Sequence, residues 1–172
     1  MQTFDRVYQA HNGEIYKFLY SILGSEAEAR EVAQETFLAF LKEIRANEMP
    51  LSKERPWLYR VARNKAYNTQ RSKRYTESFQ QHQEKGSTLE AKVSVERTTP
   101  ESQLVKKQEQ EKIRGIFTHM KERERSLLQY YTAGLSYVEI ASAMGVERST
   151  IGKALARAKA SFKILYEGWP PQ

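Results

Sequence analysis

GLSYVEIASAMGVERSTIGKALARAKASFK, residues 134 to 163, is the stretch whose reading decides the fold. Ser136 precedes Glu139 at the spacing where a serine hydroxyl accepts an open N–H of a helix's first turn and the glutamate reaches back to the serine amide. A helix is therefore expected to start there, with Ile140, Ala141 and Met144 on its inner side and small Ala141 permitting a close crossing. Gly145 then ends it in the left-handed conformation that a side chain resists. Past the turn, Val146, Ile151, Leu155 and Phe162 mark the buried stripe of a second helix, which leaves Arg148, Ser149, Thr150, Lys153 and Arg157 on its outer side. This is the outline of a helix-turn-helix. An outer side of guanidinium, ammonium and hydroxyl groups suits a DNA major groove, where base edges and flanking phosphates present acceptors. Glu147 sits where Ser, Asp or Asn would cap the second helix better.

Charge places a second feature beside the first. The 172 residues carry a formal net charge of +7, but residues 53–74 hold +7 and residues 148–163 hold +5, while residues 1–52 hold −3. Two compact basic segments separated by a nearly neutral stretch indicate two footprints on a polyanion, with affinity that falls as salt rises. The first basic segment reads as a helix with Pro56 in its opening turn, from Trp57 to about Arg74. At about 100° per residue, Trp57, Arg60, Arg63, Asn64, Tyr67, Arg71 and Arg74 share one third of it, and Leu58, Val61, Ala62 and Ala66 share another. The first group faces out in this reading and the second packs. Guanidinium groups hold phosphates, an amide reads a base edge, and an aromatic ring stacks on a base that has left the duplex. Lys65 falls on the apolar side and has no role in this reading.

The remainder is helical, and no alternating strand pattern occurs. Phe4 to Leu23 carries Phe4, Val7, Tyr8, Ile15, Phe18, Leu19 and Ile22 near helical spacing, with a break expected around His11, Asn12 and Gly13. Gly24 ends that segment, Ser25 and Glu28 repeat the capping spacing, and Val32, Thr36, Phe37, Phe40, Leu41 and Ile44 form the next stripe. A polar loop follows over residues 46–55. Residues 75–99 read as a polar linker with room for a short helix at most. Thr99 and Pro100 open a helix bearing Leu104, Ile113, Ile116, Phe117 and Met120, and another runs from about Glu122 to Thr132 with Leu127, Leu128 and Tyr131. The fold class expected is all-α: two small helical domains, 1–74 and 100–168, joined by a linker over 75–99.

Composition excludes several classes. There is no cysteine, hence no disulfide and no thiolate metal site. No apolar run approaches the roughly 20 residues that cross a bilayer, and the first residues show no leader, so a cytoplasmic protein without membrane insertion is expected. Asp5 is the lone aspartate and His11, His82 and His119 are scattered. Glu31 and Glu35 share a helix face, but without a histidine or a second acidic helix they read as partner contacts rather than a catalytic pair. No catalytic residue, metal site or cofactor site is assigned, and no enzyme activity is expected.

Over nearly its whole length the chain resembles bacterial RNA polymerase sigma factors of the sigma-70 family, extracytoplasmic-function type. EAREVAQETFLAF, Glu28 to Phe40, is similar to that family's core-polymerase-binding helix; PWLYRVARNKAYNTQR, Pro56 to Arg71, to its −10 element helix; and KERERSLLQYYTAGLSYVEIASAMGVERSTIGKALARAKASF, Lys121 to Phe162, to its −35 element domain. The resemblance implies a region 2-like bundle and a region 4-like helix-turn-helix. It implies that Glu28, Glu31, Gln34 and Glu35 dock on the largest subunit of core RNA polymerase, and that the helices from Ile113 to Tyr131 meet the second-largest. Trp57, Arg60, Arg63, Asn64, Tyr67 and Arg71 would hold the single-stranded −10 element. Arg148, Ser149, Thr150, Lys153 and Arg157 would enter duplex DNA at −35. An anti-sigma factor is a further partner the family allows. The chain departs from the family pattern at Glu54, where an aromatic residue is usual, so that either Met49 or Leu51 lines a base pocket or the pocket prefers a different base. It departs again at Gly152 and Ala154, which replace residues that are usually basic. The alternative class is a helix-turn-helix repressor or activator that acts without polymerase, which would normally bring a dimerisation or ligand domain.

Overall fold

Gly13, the residue that propensity marks as the weak point of the first helix, does not interrupt it. In the computed structural model, which describes residues 2–46, 52–80 and 100–170, α1 runs unbroken over Gln2–Leu23. The expected break is corrected by packing. A mid-helix glycine costs about 1 kcal/mol, whereas Val7, Ile15, Phe18, Leu19 and Ile22 are all buried and each such side chain contributes about 1.5–3 kcal/mol. The Asn12 amide also donates to the Tyr8 carbonyl at 2.9 Å, within the helix rather than against it. Nothing approaches the position a Cβ on Gly13 would take. Gly13→Ala is therefore expected to stabilise the protein by about 0.5–1 kcal/mol, read as a higher urea midpoint. An unchanged or lower midpoint would contradict an unstrained helix at this point.

Gly24, at φ 72°, terminates α1, and Ser25 begins α2 (Glu26–Arg45) by accepting the Glu28 N–H. So short a joint makes α1 and α2 an antiparallel pair. Phe4 accordingly lies 6.3 Å from Phe40 and Tyr8 lies 4.9 Å from Phe37, centroid to centroid. α3 (Glu54–Gln80) is longer than expected at both ends. Pro56 still sits in its first turn, and the helix continues past Arg74 through the first residues of the expected linker. Residues 81–99, with the Thr99 cap, and the loop residues Met49 and Leu51 lie outside the described residues.

The remaining helices are α4 (Pro100–His119), α5 (Glu122–Thr132), α6 (Tyr137–Met144) and α7 (Arg148–Glu167), giving seven helices and no strand among the described residues. Contacts group the chain into two units, Met1–Ala46 with Val61–Arg97, and Asn47–Arg60 with Thr98–Gln172. In the second unit Ile116, Met120, Leu127, Leu128, Ile140, Ile151 and Leu155 form the core. Leu104 does not join them. It is 57% exposed, and the whole stretch 104–111 of α4 is exposed with it.

Candidate nucleic-acid interface

The capping box at Ser136 forms in full: the Glu139 N–H donates to the Ser136 hydroxyl and the Ser136 N–H donates to the Glu139 carboxylate at 2.7 Å. Gly145 adopts φ 65°, and the Val146 N–H closes back on the Ala141 carbonyl at 3.0 Å, the wrap that a left-handed glycine permits. This turn launches α7 with Ile151, Leu155 and Ala158 buried. The opposite side is open, and Arg148, Ser149, Thr150, Lys153 and Arg157 are all exposed on it. Glu147 makes no side-chain cap, as its chemistry implied; the Thr150 hydroxyl donates to the Glu147 carbonyl at 2.8 Å instead.

Two neighbours of this face were not read from the sequence. Arg123, at the start of α5, lines a groove with Ser149, Thr150, Lys153 and Arg157, so a cation from another helix flanks the open side of α7. Tyr137, in the first turn of α6, lies 3.9 Å from where a Cβ on Gly152 would stand. Gly152 and Ala154 lack the usual charge, and Arg123 places a charge nearby from a position too far along the chain for spacing to reveal.

The Glu139 carboxylate also receives Arg55 Nη1 at 2.9 and 3.0 Å, within the second unit. Partial burial pushes the carboxyl up, but the Ser136 amide, the Arg55 guanidinium and the Ser136 hydroxyl together hold it below its ordinary value of 4.5. A depressed carboxylate contributes stability that is complete above the unfolded value and is lost as pH falls through the folded one. Glu139→Gln should therefore be less stable than the parent at neutral pH, with the gap closing below about pH 4. Urea midpoints at pH 7 and pH 3 measure it, and a gap independent of pH would remove the charge from the explanation.

Along α3, Arg60, Asn64, Arg71 and Arg74 are exposed while Trp57 and Tyr67 are half-buried, and Leu58, Ala62 and Ala66 pack inward as expected. Arg63 is a correction. It is 5% exposed, with its guanidinium 4.6 Å from the centroid of the Tyr67 ring, so its position is that of a packed residue that props the tyrosine. Lys65 gains its assignment: its ammonium meets the Glu35 carboxylate of α2 at 3.0 Å. Lys73 likewise pairs with Glu28, and the Gln70 amide donates to the Ile22 carbonyl of α1 at 2.9 Å. Of the four α2 residues expected to meet a partner, Glu28 and Glu35 thus help to fasten α3, and Glu31 and Gln34 stand exposed. Leu38, one turn beyond Gln34, is 58% exposed and completes their stripe. It lies off the buried spacing of Phe37 and Phe40, which was the signal available for it. Among the described residues no group of histidines, aspartates and glutamates could hold a metal ion, and no helix is long and apolar enough to cross a membrane.

Two family models match the sequence in the expected order: sigma-70 region 2 over residues 7–76 and sigma-70 region 4 over residues 110–162. The ECF RNA polymerase sigma factor SigM of Bacillus subtilis (strain 168) is 25% identical over 166 residues, covering 95% of each chain. Two solved structures share the fold at 17% identity. CnrH in complex with the cytosolic domain of CnrY aligns with a TM-score of 0.64 over 96% of this chain and 88% of that one. The sigma factor RpoE in complex with the anti-sigma factor NepR from Bartonella quintana aligns with a TM-score of 0.63 over 97% of this chain and 98% of that one.

Proposed function

The chain belongs to the extracytoplasmic-function group of sigma-70 RNA polymerase sigma factors, which serve transcription initiation, and from that premise we propose that it recruits core polymerase to promoters by reading a −10 and a −35 element and helping to open the first. The observation that carries this reading is the presence, on one chain, of an open basic face on α7 and an open arginine and asparagine stripe on α3. α7 would lie in the −35 major groove, with Arg148, Lys153 and Arg157 reading or anchoring. Trp57, Arg60, Asn64 and Tyr67 would hold the unpaired −10 strand, and Arg63 would act by setting Tyr67. Glu31, Gln34 and Leu38 would dock on the largest polymerase subunit. Residues 1–74 and 100–168 would serve as the two working domains, and the connecting segment would begin after α3 ends. One fold neighbour is a sigma factor in complex with the anti-sigma factor NepR, and a protein of that kind is proposed as a third partner here. The same reading places the protein in the cytoplasm and assigns it no catalysis of its own.

Footprinting of a promoter with and without core polymerase tests the proposal. Specific protection is expected only with core. Arg148→Ala, Lys153→Ala and Arg157→Ala should each weaken −35 protection, and a base-reading arginine should lose about 1–3 kcal/mol of discrimination. Tight, specific protection by the chain alone would instead establish a repressor or activator.

A further inference from the structure

Residues 163–169 lie beyond the stretch that matches region 4, which ends at residue 162, yet they pack along α4. Phe162 lies 5.7 Å from Phe117, and Tyr166 lies 6.0 Å from Phe162, centroid to centroid. The Tyr166 hydroxyl donates to the Glu109 carboxylate at 2.9 Å, and the Lys112 ammonium stands 3.7 Å from the centre of the Tyr166 ring. Past the end of α7, the Trp169 indole seats on Gly115 and meets the His119 ring edge-on at 5.4 Å. At about 100° per residue, Glu109, Lys112, Gly115 and His119 share one third of α4. A Cβ on Gly115 would come within 2.5 Å of the indole. Glycine, which costs a helix interior stability relative to alanine, is therefore what lets the ring approach here.

Resting on the reading given above, with polymerase gripping the helices from Ile113 to Tyr131 and DNA gripping α7, we propose that Tyr166 and Trp169 are positioning residues. They brace α4 against α7, and thereby set how strictly the protein selects the number of base pairs between the −10 and −35 elements. One extra base pair moves the −35 element by about 3.4 Å and turns it by about 35°. DNA of the wrong length therefore either strains the contacts at its two ends or tilts α7 on α4. Phe117 and Phe162 hold the two helices at one level, and Glu109 and Tyr166 hold them again about 12 Å along α4. Two levels oppose a tilt that one permits. The penalty for a wrong length cannot exceed the cost of the contact that yields first, so weakening the brace lowers that penalty.

Holoenzyme is tested on promoters that keep both elements while their separation runs from two base pairs short of the best length to two beyond. The quantity read is the ratio of affinity at the best length to affinity two base pairs away. Trp169→Ala removes the ring, and Gly115→Ala removes its seat while favouring the helix. Each is expected to lower the ratio roughly 3- to 10-fold, the size of one aromatic pair. Tyr166→Phe keeps the ring and loses only the hydroxyl, so it should lower the ratio about 2-fold. On a promoter without a −35 element, where α7 has nothing to read, Trp169→Ala should bind as the parent does. An unchanged or higher ratio in either alanine variant, including one produced by equal losses at every length, would make residues 163–169 a folding element only and overturn the proposal. A parent ratio near 1 would overturn it as well. Parent holoenzyme that shows no preference for DNA bearing the −35 element would remove the functional reading itself, and this one with it.

Discussion

Leu38→Asp is expected to lower affinity for core polymerase by about 30- to 1000-fold, because ~2–4 kcal/mol is what an apolar anchor at the centre of an interface typically carries. Folding leaves this leucine 58% exposed at the end of the Glu31 and Gln34 stripe. Its burial is thus available to a partner, at about 1.5–3 kcal/mol, and a carboxylate in the same place would add an unpaired charge to the interface. Glu31→Lys, at the rim, should have a smaller and salt-sensitive effect. Glu35→Lys is a poorer probe, since it also removes the tie to Lys65. Competition against the parent protein for core measures all three, with the circular dichroism melt as the control for folding. Parent-like binding by Leu38→Asp would mean that docking uses another surface.

The second large effect is expected at the −10 element. Stacking and base-edge contacts exist only once the strand is unpaired, and stacking contributes about 1–3 kcal/mol. Asn64→Ala and Trp57→Ala should leave −35 protection unchanged while reducing promoter opening by roughly 5- to 150-fold. A template already mismatched at −10 should restore them in part, since it removes the cost of opening but not the need to hold the strand. Permanganate reactivity of unpaired thymines reports the opening directly, and normal reactivity in both variants would take this helix out of strand capture. Arg63→Ala serves as the contrast. Its buried guanidinium makes it a folding residue, so its melt should fall along with its activity.

Much of this was legible because local chemistry and tertiary packing agree. Ser136, Glu139 and Gly145 each act within a few residues of themselves, so spacing alone placed α6, and the outer face of α7 followed from its period. The misreadings share another cause. Gly13 was overruled by buried side chains on both sides of it, Arg63 fell at an angle that looks outward on a helical wheel but lies over Tyr67, and Leu104 has an apolar spacing on a stretch of α4 that stays exposed. Lys65, Arg123 and Leu38 depend on which helices become neighbours. No period within a single segment carries that information.

α3 is one uninterrupted helix of 27 residues, and this makes the number of residues along it a constraint in its own right. Inserting or removing a single residue between Asn64 and Arg71 turns everything beyond it by about 100°, which no repacking of side chains can undo. A block of seven nearly restores the phase, to within about 20°, but shifts the far end by roughly 10 Å. Side chains along this stripe can therefore be substituted one at a time, each at its own cost, whereas a change in the count from Trp57 to Arg71 displaces everything beyond it at once. Alignments and chimeras involving this region should be scored on that count before they are scored on identity.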